Sequence, residues 1–174
     1  MAIQTEVLRS EGGFGVNSKV IISDEYDIQN ANTLEVKNSD FVNCHRKDSI
    51  LRLQTNPSTP AGILSLNASS STPLILESGS INFITSHIIG TNSNGSGFYS
   101  AKSEVTVSVD AIGGVTVVSE LLTILKDSIP SGEGWSINYY DIGSAGQFSY
   151  SVNQGSASSN ILWTAHVQTI TADW

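Results

Sequence analysis

The strongest constraint on the fold of this chain is a strict alternation of apolar and polar residues near its C-terminus. Apolar side chains occupy every second position there, namely Ile161, Trp163, Ala165 and Val167. Successive side chains of a β-strand point to opposite faces, so this spacing predicts a strand with one buried and one exposed face. The same alternation recurs at 105–109, 135–139 and 148–152. The pattern therefore favours a β protein over a helical bundle.

Turn signals divide the C-terminal two thirds of the chain into short strands. Glycine with asparagine or serine, as at 94–97 and 154–156, separates the alternating runs. Strands are predicted near 63–66, 73–77, 80–89, 98–110, 114–126, 134–140, 146–153 and 159–170. The stretch from Val117 to Leu125 also fits helical spacing, so a helix is the alternative there. The prediction is an all-β fold, an antiparallel, jelly-roll-like β-sandwich with an extended N-terminal arm.

Composition agrees with this fold class and excludes some partners. Ser, Thr and Asn together number 54 of 174 residues, and only 14% are charged, against about 25% in typical domains. The formal charge is −8 with eight Lys and Arg in total. Binding to a nucleic-acid backbone or an anionic membrane needs clustered basic residues, so we expect neither partner.

Charge is unevenly distributed along the chain. Residues 1–60 hold 14 of the 24 charged side chains. This range ends in a segment with two prolines, at 56–60. We therefore predict an attachment arm at 1–60 and a β-sandwich domain at 61–174 that folds by itself. The apolar residues of the arm are too sparse for a core and should anchor it on a neighbour. These candidate anchors are Phe14, Val20, Ile22, Leu34, Val36 and Phe41.

No constellation of catalytic or metal-binding residues is visible in the sequence. The histidines do not form the paired spacings that place two imidazoles on one metal; they are His45, His87 and His166. His166 alternates onto a polar face and should be exposed, whereas Cys44 is expected to be buried and inert. The acidic residues at 24–27 lack the spacing of a calcium loop. We therefore predict no enzyme, no cofactor and no metal.

Aromatic residues on alternating faces are candidates for the core. These are Trp135, Phe148, Tyr150 and Trp163. The alternative for the aromatic residues is a sugar-stacking platform, which could include Tyr139, Tyr140 and Trp174, since aromatic rings in β-sandwich lectins perform this role. Alternation with aliphatic residues favours the core for Trp135 and Trp163.

The C-terminal part carries motifs that resemble a known class of domain. The motifs are DSIP at 127–130, GWSI at 134–137, GQFSYSV at 146–152 and NILWTAHV at 160–167. Over about residues 80–170 the chain resembles the C-terminal β domain of virion structural proteins and tail fibres of tailed bacteriophages. The resemblance rests on two tryptophans and the turns, and it implies no catalytic residue.

This resemblance implies a structural role in a tailed-phage virion. The expectation is an outward-facing homo-oligomer, a trimer, that contacts other virion proteins and either decorates the capsid or forms a short appendage. The alternative is a tail-fibre or receptor-binding module that recognises host-surface carbohydrate. A polysaccharide hydrolase would need paired carboxylates a few ångströms apart, for which the sequence gives no signal.

Overall fold

The computed structural model describes residues 14–16, 19–22, 33–38, 40–67, 72–141 and 145–174. Within these residues the regular structure is β throughout, and no helix there is long and apolar enough to cross a membrane. The strands are β1 Phe14–Val16, β2 Lys19–Ile22, β3 Thr33–Asn38, β4 Phe41–Thr55, β5 Ala61–Ile63, β6 Leu74–Ile75, β7 Ser80–Asn92, β8 Phe98–Val109, β9 Val115–Ser128, β10 Ser136–Asp141, β11 Gln147–Asn153 and β12 Ile161–Asp173. The segment from Val117 to Leu125 is therefore a strand, as predicted.

The chain divides into two compact units, Met1–Ala31 and Asn32–Trp174. In the first unit β1 and β2 form an antiparallel pair. In the second, a six-stranded antiparallel sheet has the order β3-β4-β12-β7-β8-β9. A smaller antiparallel sheet has the order β10-β11-β5, with β6 also paired to β11. The predicted all-β antiparallel sandwich is confirmed.

The structural division differs from the predicted boundary after residue 60. Strand β4 pairs with β12 from Thr55↔Ile161 to Cys44↔Ala172, so residues 44–55 belong to the sheet of the larger unit. The proline segment is a tight turn in which Asn56 and Thr59 exchange two backbone hydrogen bonds. Prolines favour such turns as readily as linkers, which is why composition alone suggested a domain boundary there.

The core lies between the two sheets and is richest in aromatic side chains. Trp163 packs edge-on against Trp135, with ring centroids 5.9 Å apart, and its indole N–H donates to Thr55 Oγ1 at 3.1 Å. Gly90 lies opposite Trp163 on β7, and a Cβ there would meet the indole ring at 2.5 Å. The glycine thus leaves the space that the tryptophan fills.

Tyr150 joins the two sheets through its hydroxyl group. The residue is fully buried on β11, and its hydroxyl hydrogen-bonds with Ser86 Oγ on β7 at 2.7 Å and Ser103 Oγ on β8 at 3.2 Å. Burial raises the pKa of Tyr150 to about 12, although the two serine hydrogen bonds act in the opposite direction. The phenol therefore remains protonated at physiological pH and serves as a structural cross-link.

Candidate functional site

The outer face of the six-stranded sheet presents several large apolar side chains to solvent. Alternation along each strand sends one set of residues into the core and the other set outward. Phe83 on β7 lies directly opposite Ile170 on β12, and both are about half exposed. Ile89 and Leu162 lie further along the same two strands and are similarly exposed. Exposed apolar residues grouped on one face are typical of a binding surface.

A polar groove crosses the middle of this outer face. It has a volume of about 200 Å³ and is lined by Thr85 and His87 of β7 with His166 and Gln168 of β12. The two histidines are directly cross-strand partners, and Thr85 is the partner of Gln168. Hydroxyl, imidazole and amide groups offer both donors and acceptors, so the groove can hydrogen-bond a polyhydroxylated ligand.

Strand β9 forms one end of the large sheet. It is 14 residues long and is last in the strand order, so among the described strands only β8 pairs with it. Its exposed apolar side chains are Val118, Leu121, Ile124 and Leu125. An edge strand with free backbone groups and apolar side chains is a template for pairing with another chain.

A compact charged cluster lies near the opposite end of the sheet. Glu35 on β3, His45 on β4 and Glu77 in the β6–β7 connection bring one donor atom each within 4.8 Å of one another. Lys37 Nζ lies 3.2 Å from the nearest carboxylate oxygen of both glutamates, and Lys47 Nζ lies 3.3 and 3.7 Å from the same two oxygens. Two ammonium groups therefore balance two carboxylates around a single imidazole.

His45 is the buried member of this cluster. Its side chain is 1% exposed, and its Nε2 lies 3.6 Å from a carboxylate oxygen of Glu35 and of Glu77. Neither ring nitrogen has a hydrogen-bond partner. The neighbouring Thr171 donates its hydroxyl to Asn82 Oδ1 at 2.7 Å instead. Buried polar atoms in proteins almost always find partners, so these two nitrogens are unusual.

Both glutamates in the cluster are ionised at neutral pH. Partial desolvation acts to raise the pKa of Glu35 and Glu77, but hydrogen bonds from Lys37 and nearby positive charges outweigh it and lower the pKa of each. The carboxylates are thus acceptors only, and neither is poised to donate a proton.

The structure places the predicted aromatic residues in the core and leaves most of the predicted anchors undescribed. Leu34 and Val36 are exposed on the outer face of β3, next to β4. The four core candidates are buried; they are Trp135, Phe148, Tyr150 and Trp163. The side chains of four anchor candidates lie outside the described residues; they are Phe14, Val20, Ile22 and Phe41.

Two of the other predicted positions can be compared with the structure. His166 is exposed, as expected. Cys44 is exposed, so the prediction of a buried thiol is wrong: it alternates with His45 on β4, and the histidine takes the inner face. The acidic residues at 24–27 lie outside the described residues.

The sequence does not reveal the charged cluster or the polar groove. Glu35 and Lys37 are two residues apart, as are His45 and Lys47, and that spacing places each pair on one strand face. Nothing in the sequence signals that Glu77 joins them. The cross-strand pairing of His87 with His166 depends on a register between segments almost 80 residues apart, which the sequence does not display.

Comparison with known proteins gives likenesses at the level of structure. No protein-family model matches the chain, and no curated protein matches it. The tailspike protein gp49 of Acinetobacter baumannii bacteriophage Fri1, described as a capsular polysaccharide depolymerase, is 14% identical over 79% of this chain, with a TM-score of 0.43. The tailspike of Acinetobacter baumannii phage AM24 is 9% identical over 72% of this chain, with a TM-score of 0.33. The chain spans 19% of the length of the first tailspike and 26% of the second.

Proposed function

We propose that this chain is a non-catalytic β domain of a tailed-phage appendage that assembles with copies of itself and binds host-surface carbohydrate. The sequence resemblance over residues 80–170 supports the virion setting. The observation that carries the binding role is the polar groove beside an exposed aromatic ring on the outer face. This assignment favours the receptor-binding alternative over capsid decoration.

The groove suits one unit of a polysaccharide. Its volume of about 200 Å³ is below the ~300–1,000 Å³ of typical small-molecule pockets, so a longer glycan would contact it through a single ring. Phe83 lies two residues before Thr85 on the same face of β7 and is 45% exposed. An exposed aromatic ring beside polar donors and acceptors matches the two surfaces of a sugar, which has apolar C–H faces and polar edges.

Self-association would use the exposed edge of β9. Four of its apolar side chains are more than half exposed, and one of them, Ile124, lies on the inner face of the sheet opposite Ala101. When this edge packs against a different surface of a neighbouring copy, around a closed ring of subunits, its backbone groups are satisfied and these side chains are buried at once. We propose a homotrimer that contacts other virion proteins, in keeping with the resemblance to fibre-type domains.

Glycan cleavage is not part of this proposal. Glycosidases combine a carboxylic acid of raised pKa with a second carboxylate on the other side of the bond to be cleaved. The carboxylates of Glu35 and Glu77 lie close together, like the two carboxylates of a glycosidase. However, the pKa of both is lowered, and Lys37 and Lys47 each form ion pairs with both of them. Neither can serve as the general acid, so the depolymerase activity named for the Fri1 tailspike is not transferred to this chain.

The binding role can be tested with purified bacterial surface polysaccharides. We expect the full chain to bind at least one member of a panel of capsular and O-antigen polysaccharides in biolayer interferometry. The substitutions Phe83→Ala and Gln168→Ala should each weaken that binding, whereas Ile112→Ala, at an apolar residue that is 91% exposed in the β8–β9 connection, should not. Binding that survives both groove substitutions, or no binding to any polysaccharide, would contradict the proposal.

Assembly can be tested separately by light scattering. The full-length chain should have the mass of a trimer, and the double substitution Leu121→Lys and Leu125→Lys should reduce it because two unpaired charges would then be buried at the contact between subunits. A wild-type monomer would contradict the assembly proposal without affecting the glycan result.

A further inference from the structure

We propose that Glu35, His45 and Glu77 form a zinc-binding site that ties the edge strand β3 to the connection between the two sheets. The inference is independent of the proposed glycan-binding role. It starts from the buried imidazole of His45, whose two nitrogens have no hydrogen-bond partner although the side chain is 1% exposed. A buried, unpartnered nitrogen that faces two carboxylates is in the position of a metal ligand.

The distances from the imidazole to the two carboxylates suit a zinc ion. Zinc binds imidazole nitrogen and carboxylate oxygen at about 2.0–2.2 Å, which separates neighbouring ligand atoms by about 3.3–3.6 Å. Nε2 of His45 lies 3.6 Å from a carboxylate oxygen of each glutamate. That separation is too long for a hydrogen bond, and the three ligand atoms lie within 4.8 Å of one another, close enough to converge on one ion.

The donor set selects the class of metal. One imidazole with two carboxylates suits zinc and its first-row neighbours, whereas calcium and magnesium prefer oxygen ligands throughout. Three protein ligands also leave a fourth position open on a tetrahedral zinc ion.

Lys37 and Lys47 would compete with the metal ion for the carboxylates of the two glutamates. Their ammonium groups lie 3.2–3.7 Å from the same carboxylate oxygens and supply the positive charge there. Lys37 is half exposed, so its long side chain can swing into solvent when zinc binds. Removing one of these charges should therefore strengthen zinc binding, a result that a purely structural ion-pair network does not predict.

Zinc binding would connect three segments that are distant in sequence. Glu35 belongs to an edge strand, His45 to its neighbour β4, and Glu77 to the stretch that leaves the small sheet and enters β7. A ligand that binds only the folded state stabilises it in proportion to the logarithm of the ligand concentration. The melting temperature should therefore rise with zinc concentration.

The experiment uses the full-length chain after treatment with a chelator. Titration with zinc chloride in a calorimeter should give one ion per chain, and cobalt(II) should give the visible absorption of a four-coordinate site. We expect Glu77→Gln and His45→Gln to weaken zinc binding by about tenfold or more, because each removes a ligand. The Lys37→Met variant should bind zinc about fivefold more tightly, because a unit charge within about 4 Å is gone.

Two matched variants serve as controls. Glu104→Gln alters a carboxylate paired with Lys102 on β8, and His166→Gln alters an exposed imidazole of the outer face; neither should change zinc binding. Circular dichroism should confirm that each variant is folded. If His45→Gln does not fold, the effect of Glu77→Gln on zinc binding is the deciding measurement. The proposal is overturned if the wild type shows neither a zinc heat nor a thermal shift. It is also overturned if His166→Gln abolishes binding, or if Lys37→Met weakens it.

Discussion

Gly90 is the residue on which the packing of Trp163 depends. A methyl group at this position would lie 2.5 Å from Cζ3 and 2.7 Å from Cε3 of the indole ring. The ring is 1% exposed and is fixed by its hydrogen bond to Thr55, so it has little room to move. The packing of this part of the core therefore depends on the missing side chain of Gly90 as much as on the indole ring of Trp163.

We predict that Gly90→Ala lowers the free energy of unfolding by about 1–3 kcal/mol, the usual cost of overpacking a core. A shift of the urea midpoint without a change in slope would measure it. Gly134→Ala is the matched control, because a Cβ there meets nothing within 4 Å. Equal midpoints for Gly90→Ala and wild type would show that the indole ring is free to move.

Tyr150 gives a second prediction, in alkaline solution. Its pKa is about 12 in the folded chain against 10.0 in the unfolded chain, so its contribution to stability is complete below pH 10 and is lost as the pH rises through 12. The loss should reach about 2–3 kcal/mol for a shift of this size. We expect the wild type to lose stability between these pH values more steeply than Tyr150→Phe.

Equilibrium denaturation of both proteins across that range is the measurement. Tyr140→Phe, at a half-buried tyrosine on β10, should follow the wild-type curve. If Tyr150→Phe also follows that curve, the phenol is already ionised or exposed at moderate pH, and the sheet-to-sheet hydrogen bonds are absent in solution.

Strands β3 and β4 complete one side of the large sheet. Strand β4 supplies Leu51 to the core and covers one edge of β12 along twelve residue pairs. A chain that begins at Ala61 would lose both strands and expose the whole edge of β12. Unpaired apolar edges of this length favour aggregation.

We therefore predict that residues 32–174 fold and that residues 61–174 do not. Far-ultraviolet circular dichroism with a thermal melt should show a cooperative β signal for the first fragment only. A cooperative melt of the shorter fragment would restore the boundary suggested by composition and would mean that β4 is peripheral to the core.

The whole molecule should be less stable in acid, and the charged cluster should contribute to the loss. The pKa values of Glu35 and Glu77 are lowered from 4.5, so their contribution is complete above pH 4.5 and declines as the pH falls through the lower folded values. We expect the combined Glu35→Gln and Glu77→Gln variant to lose less stability than wild type on acidification.

The comparison uses denaturant midpoints from about pH 6 down to about pH 3, where folded carboxylates titrate. The effect should be small, since both carboxylates are more than a third exposed and solvent screens their ion pairs. The combination Glu104→Gln and Glu120→Gln controls for the removal of two charges elsewhere. If the denaturant midpoints of wild type and of the Glu35→Gln, Glu77→Gln variant change with pH in parallel, the ion pairs of these two glutamates do not contribute to stability.

The sequence by itself determined the fold class and most of the strands. Period-two alternation is a local property, so the sequence alone indicated the β12 segment and the burial of Trp163, whereas for 117–125 it left strand and helix open. It also separated the inward-facing tryptophans from a sugar-binding role. Turn residues placed the ends of these strands to within a few positions.

Only the tertiary structure decided which strands are neighbours and what their registers bring together. The alternation of β4 is diluted by polar and charged residues, so the sequence assigned 44–55 to an arm, whereas pairing with β12 places it inside the large sheet. His45 and Glu77 are 32 residues apart in sequence, and His87 and His166 are 79 apart. Strand register between distant segments fixes such contacts, and it is set by packing across the whole sheet rather than by any local pattern.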